Sequence, residues 1–138
     1  MKKNILILLI IILNISGLKA QDLNFNDYFF NSYTAFHSLG DFIKEDSIII
    51  YDKDKKISAT DLEFSYTSDT STKCIKIVHS IPNNNNYLIV TDYIINDNLS
   101  VISFANSEKK KYIVYTSKRD NKDDKWWFLL SIFKGSMN

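Results

Sequence analysis

The chain has 138 residues, with 17 Lys and Arg against 16 Asp and Glu, one cysteine (Cys74), one proline (Pro82) and three glycines. A lone cysteine excludes an internal disulfide, so packing alone must hold the fold. The near-balance of charge lacks the electrostatic footprint of a nucleic-acid binder, and it gives no reason to expect general attraction to anionic membranes.

Lys2 and Lys3 precede an unbroken apolar run from Ile5 to Leu13, which Asn14, Ser16 and Gly17 end. Ala20 then supplies a small residue before a cleavage point. A basic start, an apolar centre and a small-residue exit form the pattern of a secretory signal peptide. The run is far short of the roughly 20 apolar residues that a spanning helix needs. Residues 1–20 are therefore expected to be removed on export, to the periplasm or outside the cell. What remains is a single domain over residues 21–138 with no integral membrane span. Lys2, Lys3 and Lys19 leave with the leader, which takes the 17 basic residues to 14 against 16 acidic, a net charge of −2.

Asp22 to Leu39 reads as one amphipathic helix. Phe25, Phe29, Tyr33 and Phe36 recur at helical spacing and share one stripe. Asn24 or Asn26 can cap its start, and Gly40 is a natural stop. From Ser47 the period changes to that of strands. Ser47–Tyr51 is β-branched, and Asp61–Thr67 alternates with Leu62, Phe64 and Tyr66 on one face. Lys73–Ser80 follows with Ile75 and Ile77 together, and Tyr87–Ile95 is apolar on both faces, as in a central strand. Leu99–Ala105, Lys111–Ser117 and Lys125–Phe133 complete the series, with Asn-, Asp-, Ser- and Lys-rich turns between the runs. Strands at about 12-residue intervals with short links read as a meander. The expected fold is α+β: one N-terminal amphipathic helix packed on a six- to seven-stranded antiparallel meander sheet.

The residues capable of chemistry are few. His37 and Asp41 are four apart and could meet at the helix end, where a His–carboxylate pair can act as a base. The same histidine in a last helical turn also suits the helix dipole. His79 ends a strand beside a turn and reads as a rim residue. Two histidines and one cysteine do not make a zinc pattern. Asp52-Lys53-Asp54 and Asp120-Asn121-Lys122-Asp123-Asp124 lack the central glycine of a calcium loop and are diluted by lysines, so they read as solvated turns. No P-loop, dinucleotide fingerprint, nucleophile elbow or HExxH is present. No metal, cofactor or catalytic residue is assigned.

The aromatic residues are the better candidates. Trp126 and Trp127 are adjacent on the last strand and point to opposite faces, so one is expected in the core and the other outside or in a second layer. Tyr93 and Tyr115 lie on strands. An aromatic-lined concave sheet can hold a small apolar ligand or grip a protein. Trp126, Trp127, Tyr93, Tyr115 and His37 are the candidate binding residues.

The segment Tyr33-Thr34-Ala35-Phe36-His37-Ser38-Leu39-Gly40-Asp41 resembles the end of the first helix in NTF2-like (cystatin-like) domains. Tyr112-Ile113-Val114-Tyr115, a polar hairpin, a tryptophan and a last apolar strand are similar to that family's closing hairpin. Residues 41–47 leave little room for the further helix usual in the family. The resemblance implies a curved sheet wrapped on a helix and enclosing a pocket, in a family of enzymes and of non-catalytic binders. It transfers no catalytic residue.

The function expected from the sequence is that of a small exported, non-catalytic binding domain using an aromatic-rich curved sheet, its partner an unidentified protein or small apolar ligand. The alternatives are a periplasmic inhibitor or immunity-type protein, and a small hydrolase or isomerase using His37 with a carboxylate.

Overall fold

The computed structural model describes residues 25–121 and 125–137. The expected leader, the expected helix start at residues 22–24 and part of the expected last turn lie outside the described residues. Helical backbone runs over residues 25–30 (α1) and Tyr33–Ile43 (α2). Seven strands follow: β1 Ser47–Tyr51, β2 Leu62–Thr67, β3 Thr72–Val78, β4 Leu88–Ile95, β5 Leu99–Asn106, β6 Lys111–Lys118 and β7 Phe128–Ser136. They form one sheet in the order β2-β3-β1-β4-β5-β6-β7.

The expected single helix is corrected to two short ones. Ser32 has extended backbone (φ −79°, ψ 137°), and its hydroxyl accepts from Ala35 N at 3.1 Å. It therefore starts a new helix where the aromatic stripe suggested continuity. Gly40 does not end that helix. The chain turns at Lys44, which takes the left-handed conformation (φ 60°), and Glu45 N donates to Gly40 O at 3.1 Å. Gly40 instead makes room for this return, because a Cβ there would lie 3.0 Å from Glu45 O. The longer helix approaches the sheet most closely around β1 and β3, and single side chains reach further, Ser38 to Tyr115 on β6 and Phe36 to Tyr66 on β2.

The antiparallel meander is also corrected: the sheet is mixed. β1 sits between β3 and β4 and is parallel to both. The cause is its composition. Ser47-Ile48-Ile49-Ile50-Tyr51 has almost no polar face, and such a strand gains most from a central, covered position. Ile48 and Ile50 are fully buried. β2 and β3 form a hairpin that returns β3 alongside β1. β4 joins the other side of β1 at its far end only, through Ile50↔Leu88 and Tyr51↔Ile89. Because β4 begins where β1 and β3 end, the link over residues 79–87 needs only to step across β1. From β4 to β7 every neighbour is antiparallel.

Beyond Tyr51, the flank of β4 that faces β1 has no strand beside it. The loop over residues 52–61 covers it: Lys56 Nζ donates to Thr91 O at 2.7 Å, and Ile57 is buried. Asn26 ties α1 into this corner, donating to Ile57 O at 3.0 Å and accepting from the Tyr93 hydroxyl at 2.6 Å.

The core lies on one face of the sheet, where the rings of Phe25, Phe29, Phe30 and Phe36 meet Ile48, Ile75, Ile102 and Phe104 among others. Phe29 is 4.8 Å from the Tyr115 ring and Phe30 is 5.2 Å from that of Phe64. Such contacts add ~1 kcal/mol each beyond area burial. Among the described residues, no helix is long and apolar enough to cross a membrane.

Candidate functional site

The two outer strands of the sheet are built differently. β2 is six residues long, and its exposed positions are the polar Glu63, Ser65 and Thr67. Leu62, Phe64 and Tyr66 turn toward the core, and Glu63 pairs with Lys76 at 3.6 Å. Short length and outward charge are the usual protection of a strand with unpaired backbone groups. β7 is nine residues long and has one charged side chain, Lys134. Phe128, Leu130 and Phe133 are each more than half exposed. Among the described residues, six of the ten large exposed hydrophobic side chains fall between Trp126 and Met137.

β7 pairs with β6 from Lys111↔Ser136 to Lys118↔Phe128, with a bulge opposite Thr116 and Ser117. Ser131 pairs with Thr116 and Phe133 with Val114, so both lie on the sheet face away from the core; Ile132 pairs with Tyr115 on the core face. Tyr112 packs over Gly135 and lies 5.9 Å from the Phe133 ring. A Cβ at Gly135 would collide with that tyrosine, so this glycine lets the ring lie flat on the edge strand. The result is an apolar strip along an open sheet edge, with Trp126, three-quarters exposed, at its entrance.

The structure separates the five residues proposed from sequence. Trp127 is buried beside Phe25 (5.1 Å), with the Arg119 guanidinium 4.7 Å over its ring. Tyr115 is buried, and its hydroxyl shares a 2.6 Å hydrogen bond with Ser38. Burial pushes its phenol well above the usual tyrosine range, against the opposing pull of that bond. Burial also raises the Tyr28 phenol. Tyr93 is half-buried and holds Asn26. His37 is half-exposed on α2, its ring tilted against that of Tyr33 at 3.9 Å. Among the described residues no ion pair joins it to Asp41, whose side chain faces solvent. Of the five, only Trp126 belongs to the exposed edge.

The core-side face of the sheet is covered by the chain's own rings. Where Tyr28, Phe29, Ala35, Tyr115 and Leu129 approach one another, the remaining cavity is about 40 Å3, room for a water or two rather than for an organic ligand.

His79, expected at a rim, has specific partners. Its Nδ1 lies 2.7 Å from Asp61 and its Nε2 4.0 Å from Asp52. Asp52 is fully buried and accepts from Lys56 N at 2.9 Å and Ile57 N at 2.8 Å. The cluster ties together the strand ends after β1 and β3 and the start of β2. With Asp52 engaged in holding the turn and the largely exposed Asp61 bound to His79, it is a structural clamp. Cys74 meets Ser47 at 3.2 Å on the face away from the core. Among the described residues, no group of three or more His, Cys, Asp or Glu side chains could hold a metal ion.

Sequence reasoning missed Phe128, Leu130 and Phe133 as exposed residues of the edge. The signal was present in Phe128-Leu129-Leu130 and Ile132-Phe133, where polar alternation fails on both faces. Such a run belongs to a strand covered on both sides. No family model, curated protein or solved structure matches this chain.

Proposed function

We propose that the chain is an exported, non-catalytic interaction domain that docks another polypeptide along β7. The observation that carries this reading is the conflict between the composition of β7 and its place in the sheet: it is built as an interior strand and stands at the edge. An extended strand added beside it would satisfy the outward backbone groups, while Trp126, Phe128 and Phe133 offer large anchoring side chains. A protein partner is favoured over a small apolar ligand because the aromatic concavity is occupied by Phe25, Phe29, Phe30 and Phe36. A non-catalytic role is favoured because no ion pair joins His37 to Asp41 among the described residues and because Asp52, beside His79, is engaged with backbone N–H groups. Export is supported by the basic start and apolar run of residues 2–20. If the likeness to NTF2-like domains reflects descent, the chain stands with that family's non-catalytic binders.

Native mass spectrometry of the protein from its host's exported fraction tests the reading. The expected result is an assembly of polypeptides, with a chain that begins near Gln21 and carries no small-molecule adduct. A monomer, with or without a bound small apolar compound, would contradict it.

A further inference from the structure

Resting on the edge-docking reading, we infer that the strand completing β7 is the β7 of a second copy, paired antiparallel about a two-fold axis at Ile132 so that two seven-stranded sheets become one. Four observations converge on this occupant.

The first is area. Taking about 200 Å2 for a fully exposed large side chain, the six hydrophobic residues between Trp126 and Met137 present on the order of 600 Å2 at their observed exposures. Spread over both faces of the strand and its two ends, that exposed apolar area approaches the roughly 800 Å2 per partner of a stable interface. The second is charge. Lys134 is the one charged side chain of β7, so the strip offers no pattern of charges to select a foreign partner. Sparse charge over an apolar surface is the composition of interfaces between like subunits.

The third is register. With Ile132 on the axis, Lys134 lies opposite Leu130 of the second copy, and the two lysines are about 13 Å apart along the strands, beyond the screening length at physiological salt. A parallel pairing in register would set them side by side. Antiparallel pairing also sends the two Lys109-Lys110-Lys111 runs, which enter β6 next to the end of β7, to opposite ends of the interface. The fourth is shape. The same register puts Phe133 of each copy opposite Ser131 of the other, on the same sheet face, a large side chain against a small one.

Sedimentation velocity of the isolated chain from about 1 to about 100 µM should show a dimer. Ile132→Lys sets two like charges directly opposite each other on the axis, and it should weaken the dimer at least tenfold with an unchanged circular dichroism spectrum. Ile132→Cys in a Cys74→Ser background supplies a second readout that does not depend on tolerance of a charge. Residues opposite each other in an antiparallel pair have Cα atoms about 5 Å apart, within disulfide range, so mild oxidation should link two chains covalently. Glu63→Cys on β2, in the same background, should stay unlinked. A chain that remains monomeric, or a dimer that is indifferent to Ile132→Lys and is not linked by oxidation of the Ile132→Cys variant, would overturn the inference. A monomer in these experiments together with a mixed assembly in the host's exported fraction would overturn the second-copy assignment alone; a monomer in both would overturn the docking reading as well.

Discussion

Replacing Phe29 by alanine should open the pocket that this chain fills for itself. The ring is 2% exposed and lies 4.8 Å from Tyr115, 5.0 Å from Phe30 and 5.8 Å from Phe25. Its removal leaves a void on the order of 100 Å3, and at ~24 cal/mol per Å3 the void costs about 2.5 kcal/mol. The lost transfer energy of the ring adds to this, so the full effect falls in the range of about 3–5 kcal/mol found for buried Phe→Ala changes. A domain of this size has a stability of about 5–15 kcal/mol, so the variant should still fold. Urea titration followed by circular dichroism measures the loss. The apolar void should stay dry and accept benzene or a similar ring, and ligand at about ten times its dissociation constant should return ~1.4 kcal/mol. The wild-type protein should show no shift with benzene, because Phe29 already occupies the space. A cost below about 1 kcal/mol, or a benzene-induced shift in the wild type, would refute the claim that the concavity is closed.

Three further outcomes follow from local geometry. Lys44→Gly should stabilise the protein by about 1 kcal/mol, raising its melting temperature by about 4 °C, because Lys44 is held at φ 60° where glycine is unstrained. Asp52→Ala should destabilise by about 3 kcal/mol in urea titration, since it strands the buried N–H of Ile57, frees that of Lys56 and removes the carboxylate beside His79. Alkali should unfold the protein: the Tyr115 and Tyr28 phenols titrate higher in the folded chain than the ordinary value of 10.0, so the unfolded chain loses its protons first. Their contribution is fully present below about pH 10 and is lost as the pH rises beyond it, so thermal melts should drop steeply there, and less steeply in Tyr115→Phe.

Much of this structure is local and legible in the sequence. The period-2 alternation of Leu62–Tyr66 and the spacing of Ile75 and Ile77 locate their strands, because a side chain's face depends only on its own strand. Trp126 and Trp127 precede β7 rather than lying on it, yet the expected split holds, one exposed and one buried. What alternation does not encode is which strand lies beside which. β1 enters the centre of the sheet, parallel to both neighbours, through a hairpin return and a stagger that no single segment records. The helix break is hidden because Phe29 and Phe36 continue the stripe on either side of Ser32, so only the hydroxyl's capping bond distinguishes two helices from one. Gly40 misleads because a glycine that permits close approach and one that permits a left-handed turn look alike in sequence. The binding residues mislead for a similar reason. Aromatic composition is shared by a core and a docking surface, and Trp127 and Tyr115 go to the first while Trp126 goes to the second.

Hydrogen–deuterium exchange along β7 is the most direct measurement of whether this edge is completed by another chain. At high protein concentration the backbone amides of residues 130–134 that point away from β6 should be protected as strongly as those that point toward it, and dilution below the dissociation constant should expose them selectively. If those outward amides exchange freely at every concentration and in the presence of the host's exported proteins, β7 is an ordinary solvated edge and the proposed docking function is wrong.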